Sequence, residues 1–248
     1  MIKQCNKVGD TSLYNKNLFI MPVFQLDESI RFPPPELAGP GGLLAVGGDL
    51  SPARLIAAYS RGIFPWYSQG DPILWWFTSP RLIIDPKEFH VPKRLARYAR
   101  STGVTITRNS AFAEVIRECA AIRTEAGDET WLLPEMIDAY NSLFKLGYCH
   151  SVECWHRGQL GGGLYGIALG KVFFGESMFS RIKCGSQFAL MGLVEFLLQQ
   201  GYRLIDCQMT TAHLKRFGAR EVSGRKFRQL LQQYIKDTDP DHRWNDSG

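Results

Sequence analysis

Two acidic residues follow apolar segments of the chain and could bind a cation or accept a proton. Glu176 lies within Phe-Phe-Gly-Glu-Ser-Met-Phe-Ser (173–180), one of the most apolar runs of the sequence. Asp206 and Gln208 end a second short apolar segment, Leu-Ile-Asp-Cys-Gln (204–208). A carboxylate buried on a strand is unfavourable unless it is paired or used. The two segments therefore predict a site for a positively charged or proton-donating group; for Glu176 alone, a buried salt bridge is the alternative.

The elements predicted around these acids form a mixed α/β sheet. Hydrophobic periodicity predicts strands at 81–85, 151–155, 160–169, 172–180 and 203–207, and helices at 110–123, 134–146, 186–200, 210–217 and 224–235. Asp206 and Gln208 occupy alternate positions of one predicted strand, so their side chains should project from the same face. The order of strands and helices in the second half resembles that of the N-acetyltransferases. We expect a domain of this type over 81–235, followed by a polar, disordered tail over 236–248.

The turn that binds coenzyme A in N-acetyltransferases is incomplete in this chain. Those enzymes hold the pyrophosphate on a glycine-rich turn that opens the helix after the central strand. Here that place is occupied by Arg181-Ile-Lys-Cys-Gly-Ser, which lacks the second glycine at the required spacing. The sequence therefore disfavours coenzyme A and points to another acyl carrier.

Positive charge is concentrated in two segments. Residues 86–108 and 215–228 each contain six Lys or Arg and one Glu, so each carries +5, and the rest of a chain with net charge +5 carries −5. In the first segment Lys93, Arg97 and Arg100 share one face of a predicted helix, and Arg94 lies next to them. Like charges at this spacing repel each other, and a bound phosphate backbone would relieve the repulsion. A polyanion partner is one interpretation of each segment, and a solvated surface is the other.

Three of the six Trp residues lie between positions 66 and 76, in a loop-rich region. They either pack structurally or form an aromatic surface on which a ligand or a base can stack. Together with the basic segments and the acyltransferase-like order, this region favours an RNA ester as the acyl donor.

The cysteines and the termini argue against metal binding and export. Cys149, His150, Glu153, Cys154 and His156 cluster in sequence. On a strand, Cys149 and Glu153 would face away from the other three, so we expect no metal site. The first 21 residues are charged and lack an apolar signal core, and no apolar stretch approaches the roughly 20 residues of a membrane span, so we expect a cytoplasmic protein with no membrane partner.

The sequence resembles the leucyl/phenylalanyl-tRNA–protein transferases. The matching segments run in order across about residues 32–235: Gly-Leu-Leu-Ala-Val-Gly-Gly-Asp-Leu-Ser-Pro (42–52), Tyr59, Arg-Gly-Ile-Phe-Pro-Trp-Tyr-Ser (61–68), Asp-Pro-Ile-Leu-Trp-Trp (71–76), Thr-Trp (130–131), Gly-Gly-Leu-Tyr-Gly (162–166), Phe-Gly-Glu-Ser-Met-Phe-Ser-Arg (174–181) and Leu-Ile-Asp-Cys-Gln (204–208). The resemblance implies transfer of Leu, Phe or, less well, Met from aminoacyl-tRNA to the N-terminal Arg or Lys of a protein, which marks that protein for the N-degron pathway. It also implies a small N-terminal domain, here 1–80 with an irregular extension over 1–31, an acetyltransferase-like catalytic domain, and no metal or nucleotide cofactor.

Aminolysis of an ester requires a neutral amine held against the carbonyl, and this requirement suggests roles for the candidate residues, with the division between Glu176 and Asp206 left open. Asp206 and Gln208 would orient the acceptor amine and relay its proton, and Glu176 would hold the cationic acceptor. The pocket for the aminoacyl side chain would be formed by Leu164, Phe173 and Met178, with core packing as the alternative for each. Phe173 and Met178 lie on opposite faces of a regular strand, so this pocket requires a kink at Gly175.

The remaining assignments concern the tRNA. Trp66 and Trp131 would contact the terminal adenosine or shape the pocket, and Lys93, Arg94, Arg97 and Arg100 would grip the acceptor stem through its phosphates. The family commonly has Met where this chain has Leu164, which leaves the preference between Leu and Phe open. The alternative functions are a tRNA-binding protein without transferase activity and a coenzyme A-dependent acetyltransferase.

Overall fold

The computed structural model describes residues 23–127, 130–236 and 244. Its N-terminal part contains a four-stranded sheet in the spatial order β1-β2-β4-β3. The strands are β1 (Phe24–Leu26), β2 (Leu43–Gly47), β3 (Phe64–Pro65) and β4 (Leu74–Trp76). Strand β1 falls within the extension that was predicted to be irregular; the part of that extension before residue 23 lies outside the described residues.

Helix α1 (Pro52–Tyr59) follows the small sheet's second strand. The Ser51 hydroxyl accepts a hydrogen bond from the Arg54 N–H at 3.4 Å, and Pro52 occupies the first helical position. Both are the expected start signals of a helix. The buried face of α1 places Tyr59 beside the larger sheet, where its ring contacts Phe174.

The larger sheet has seven strands in the order β11-β5-β10-β9-β8-β7-β6. The strands are β5 (Arg81–Ile84), β6 (Thr105–Arg108), β7 (Cys149–His156), β8 (Gln159–Leu169), β9 (Val172–Ser180), β10 (Leu204–Asp206) and β11 (Arg220–Val222). Only the β9–β10 pair is parallel; all the other neighbours in this sheet are antiparallel. This topology confirms the predicted mixed α/β fold of acetyltransferase type, with a small N-terminal unit.

Helices cover both faces of the larger sheet. They are α2 (Lys93–Thr102), α3 (Phe112–Glu125), α4 (Pro134–Lys145), α5 (Gly185–Gln199), α6 (Ala212–Lys215) and α7 (Gly224–Tyr234). Helices α3 and α4 share one buried apolar cluster with Tyr165 and Phe174. Helix α5 shares a second cluster with Leu164 and Phe173. These two residues are the immediate neighbours of Tyr165 on β8 and of Phe174 on β9, so they face the other side of the sheet. The sheet thus separates two cores, as period-two alternation requires.

Strand β9 is irregular near Gly175, where a kink was predicted so that Phe173 and Met178 could face the same side of the sheet. Its register against β8 shifts between the Tyr165–Ser177 pair and the Gly166–Gly175 pair, so Glu176 is an extra residue of β9. A single inserted residue is a β-bulge, which reverses the facing of every residue beyond it. Met178 consequently packs with the cluster that contains Phe173, and the predicted kink at Gly175 is confirmed.

Two predictions at the C-terminal side need correction. Strand β10 ends at Asp206, so Gln208 is not a strand residue; it has a left-handed backbone with φ of +51°. The tail over 236–248 was predicted to be polar and disordered; residues 237–243 and 245–248 lie outside the described residues, and the prediction is wrong for Trp244, which is buried. Within the described part of the chain, every helix is too short or too polar to cross a bilayer.

Candidate active site between strands β9 and β10

A cavity of about 160 Å³ opens where the pairing of β9 and β10 ends. The ladder stops at Phe174 and Asp206, although β9 continues to Ser180. The apolar lining of the cavity includes Leu164, Phe173, Met178, Leu190, Leu193 and Ile205. The first three are the predicted pocket residues, which the structure brings together. Leu190 and Leu193 were missed because only the packing of α5 against the sheet shows which helical residues reach the cavity.

A chain of hydrogen bonds forms the polar wall of the cavity, with Glu176 at its centre. One carboxylate oxygen accepts from the Tyr140 hydroxyl at 3.0 Å, and the other accepts from the Gln208 side-chain amide at 3.1 Å. The Tyr140 hydroxyl is in turn 2.7 Å from the Tyr59 hydroxyl. Glu176 and Gln208 both line the cavity.

Burial raises the pKa of Glu176 from its ordinary value of 4.5 to about 7. Hydrogen bonds from the tyrosine side lower the pKa and the nearby Asp206 charge raises it, but removal from water dominates. Near neutral pH this carboxyl group therefore exchanges its proton readily. It also gains stabilisation of its charged form if a cation enters the cavity.

Asp206 has a different environment. Its side chain is fully buried and forms a bidentate ion pair with Arg81, with oxygen-to-nitrogen distances of 2.7 and 2.6 Å. The Arg81 guanidinium lies between the rings of Phe64 and Phe227, at 4.9 and 4.6 Å from their centroids. Stacking and bidentate pairing are the geometry in which a buried arginine is most stable.

Asp206 contacts Gln208 through the backbone. The Gln208 N–H donates to an Asp206 carboxylate oxygen at 3.0 Å, while the Gln208 side-chain amide is bonded to Glu176. The expected arrangement, with both side chains on one strand face, is therefore wrong. Asp206 anchors the turn that carries Gln208, and Glu176 is the carboxylate that contacts the Gln208 side chain.

The mouth of the cavity carries aromatic and basic side chains. Trp66 and Trp131 both line it, as the resemblance implied, and Arg123 and His213 lie at the same opening. The Trp66 backbone carbonyl accepts from the Trp76 indole at 2.6 Å, and the Trp131 ring contacts Tyr140 edge-on. The Trp66 ring also packs against Trp76, at 6.0 Å between centroids, so each of the two indoles contacts a neighbouring aromatic side chain.

The four basic residues predicted to bind tRNA lie elsewhere. Lys93, Arg94, Arg97 and Arg100 are exposed on helix α2, and none of the four lines the cavity as the described residues define it. They form a cationic surface separate from the pocket.

Three residues of the site received no role from the sequence alone. Arg81 begins the apolar run Arg-Leu-Ile-Ile, and a charge at the start of a buried strand was a usable signal of a buried partner. Tyr59 belonged to a matching segment, but its hydroxyl contact was not foreseeable. Tyr140 is 81 residues away from Tyr59 and meets it only because α1 and α4 are neighbours in space.

A sheet of acetyltransferase topology, with an apolar cavity beside a carboxylate and an amide, agrees with an acyltransferase, although the fold alone does not fix the activity. Sequence comparisons identify the group. Residues 83–232 match the family described as leucyl/phenylalanyl-tRNA protein transferase, and residues 48–79 match the N-terminal domain of the same family. The chain belongs to this family.

Curated relatives named leucyl/phenylalanyl-tRNA–protein transferase match along nearly their whole length. The protein from Desulfotalea psychrophila is 56% identical over 224 residues, which cover 90% of this chain and 99% of that one. The proteins from Syntrophobacter fumaroxidans and Desulfatibacillum aliphaticivorans are 52% and 49% identical, covering 90% and 91% of this chain and 96% and 97% of theirs. The chain is thus an aminoacyltransferase that takes its acyl group from aminoacyl-tRNA and gives it to a protein.

Proposed function

We propose that this enzyme transfers Leu, Phe and, less well, Met from aminoacyl-tRNA to the N-terminal Arg or Lys of acceptor proteins. The products would be substrates of the N-degron pathway in the cytoplasm. The observation that carries the proposal is the position of Glu176 and Gln208 on the wall of an apolar cavity whose mouth is flanked by Trp66 and Trp131.

The donor side chain fits the apolar part of the cavity. A cavity of about 150 Å³ lined by Leu, Ile and Phe can hold benzene; the cavity here has about 160 Å³ with its polar wall and its opening included, and part of its lining is likewise Leu, Ile and Phe. Leu164, Phe173 and Met178 would contact a Leu or Phe side chain, whereas a charged donor side chain would be left without a partner.

The tRNA would be held at two separate places. Trp66 and Trp131 offer flat surfaces for the terminal adenosine at the mouth of the cavity. The exposed cations Lys93, Arg94 and Arg97, together with Arg100, would contact phosphates of the acceptor stem, which position the tRNA without reading its sequence. Binding should therefore weaken steeply as salt rises.

The acceptor would be recognised by Glu176. A carboxylate in a largely dehydrated wall favours a cation, which an N-terminal Arg or Lys supplies through its side chain or its α-ammonium group. Gln208 is bonded to Glu176 through its amide nitrogen, so its amide oxygen is the acceptor available to orient an amine.

The reaction is an aminolysis in which one proton must move. The neutral acceptor nitrogen forms a bond to the ester carbonyl carbon, the bond from that carbon to the ribose oxygen breaks, and the ribose oxygen takes up a proton. Glu176, with a pKa of about 7, is suited to take the proton of the amine and return it to the ribose oxygen. Asp206 acts as a positioning residue because it holds the Gln208 backbone and is itself paired with Arg81.

The first test is transfer of radiolabelled Leu or Phe from charged tRNA to a protein with N-terminal Arg, compared with the same protein beginning with Ser. We expect label on the Arg substrate alone. No label on either substrate, with tRNA still bound, would leave a tRNA-binding protein and retire the catalytic assignments.

Two variants then test the roles at the turn. Asp206→Asn and Gln208→Ala should reduce turnover, because the amine is no longer oriented, with little change in tRNA affinity measured by filter binding. If either variant instead loses tRNA binding, the assignment to the acceptor side is wrong.

A further inference from the structure

Trp244 is packed behind the apolar cavity, although it lies ten residues after the last residue of α7. Its ring stacks on His150 at 4.2 Å between centroids and contacts Phe196 at 4.7 Å and Phe173 at 5.6 Å. Its indole N–H donates to the Tyr202 hydroxyl at 3.0 Å. The family match ends at residue 232, so this side chain comes from outside the matched segment.

Phe173 separates Trp244 from the cavity. Phe173 lines the cavity and belongs to the same buried cluster as Trp244. On the sheet, its ring leans over Gly166, where an added Cβ would lie 2.6 Å from a ring carbon. Because Gly166 has no side chain, the Phe173 ring fills the space above it, beside the paired residue His150. Trp244 contacts both His150 and this ring, so replacing Trp244 with a small residue would leave space into which the ring can move.

From these contacts, and resting on the proposed function, we infer that Trp244 is a positioning residue that sets the depth of the aminoacyl pocket and hence the preference between Leu and Phe donors. With Trp244 in place, the Phe173 ring is held on the cavity side and forms a wall of the pocket. Without it, the ring can move back, so the pocket deepens and the larger donor side chain gains relative to the smaller one. Packed interiors transmit such displacements because they contain little free space.

A competition assay tests this inference. Leu-tRNA and Phe-tRNA are mixed at equal concentrations below their KM values with an N-terminal Arg peptide, and the two products are counted by mass spectrometry. The product ratio equals the ratio of the two kcat/KM values, so it does not depend on how much enzyme is folded. One methylene in an apolar pocket changes discrimination by about 10- to 200-fold. For a partial ring movement we expect Trp244→Ala to raise the Phe:Leu ratio about three- to tenfold.

Three control variants separate pocket depth from general stability. Trp244→Phe keeps most of the packing and should return the ratio close to that of the unaltered enzyme. If Trp244→Ala does not fold, Trp244→Leu serves as the test variant and should still raise the Phe:Leu ratio, because it removes the ring that contacts Phe173. Tyr202→Phe removes only the hydrogen bond and should leave the ratio near the unaltered value. Leu143→Ala makes a cavity in the opposite core and should lower stability without changing the ratio.

The outcomes distinguish this inference from the proposed function. If the unaltered enzyme transfers neither amino acid, the proposed function fails. If it transfers both, and Trp244→Ala changes the ratio no more than Leu143→Ala does, then Trp244 only packs and the inference is overturned.

Discussion

The surroundings of Asp206 and of Glu176 differ, although both acids follow apolar strand segments and lie near the same turn. Asp206 is fully buried, with a guanidinium bonded to both of its oxygens and two phenylalanine rings packed against that guanidinium. Glu176 faces a cavity and is bonded to a neutral tyrosine and a neutral amide. The same sequence pattern therefore has two uses: the fully buried carboxylate with a counter-ion stabilises the structure, and the partly buried carboxylate that faces a cavity can bind a cation.

Arg81→Ala should show the largest difference between these two regions. It leaves the Asp206 charge buried without its partner, so we expect the free energy of unfolding to fall by about 3–5 kcal/mol, measured by urea denaturation. The double variant Arg81→Ala with Asp206→Asn should recover part of this loss because the unpaired charge is gone.

Arg54→Ala is the matched control for this loss. Arg54 is also fully buried, but the side chain of its partner Asp49 is 51% exposed and can be hydrated. We expect a smaller loss of stability than in Arg81→Ala. Equal losses would mean that pairing with Asp206 has no special weight.

Glu176→Gln should separate chemistry from stability. Turnover should fall about 10²-fold because a general base and the cation contact are lost. The pKa of this carboxyl group is raised in the folded state, so ionising it costs stability as pH rises from about 4.5 to about 7. Relative to the unaltered enzyme, the variant should therefore gain about 2–3 kcal/mol of stability between pH 5 and pH 8, measured by urea denaturation at both pH values.

Glu153→Gln provides the comparison for a buried carboxylate outside the cavity. Glu153 accepts hydrogen bonds from Thr107 at 2.6 Å and from Ser151 at 2.5 Å. Its replacement should lower stability with no specific loss of turnover per folded molecule. A comparable loss of turnover in both variants would contradict the assignment of Glu176.

Tyr140→Phe should have the smallest effect, a change in pH dependence. The Tyr140 hydroxyl stabilises the charged form of Glu176, so removing it should raise the pKa of Glu176 further. We expect the rise of acceptor kcat/KM with pH to shift by about one unit to higher pH. The acceptor α-amino group also titrates in this range, but it is common to all variants.

Tyr165→Phe is the control for that shift, since its ring contacts Tyr140 but its buried hydroxyl has no hydrogen-bond partner among the described residues. Its pH profile should match that of the unaltered enzyme. An equal shift in both variants would show that the effect arises from packing and not from the bond to Glu176.

The sequence predicted the elements better than the contacts between them. Periodicity located β9, α4 and α5 within a few residues, and the facing of Phe173 and Met178 was enough to require a kink at Gly175. The pairing of Asp206 with Arg81 was not predictable, because 125 residues separate them and only the sheet order brings β5 beside β10. The end of β10 before Gln208 was also missed, since alternation assumes a strand that continues.

The bulge in β9 also has a consequence for how this sequence can vary. Glu176 is the inserted residue of β9 and has no partner on β8. The residues of β9 that pack into the two cores are therefore the same ones that would pack there without the insertion. Residues before and after it, such as Phe174 and Phe179, continue to fill the core on the α3 side. A substitution at Glu176 therefore leaves the core residues of both faces in place, whereas one at Phe173 changes a core and the cavity together.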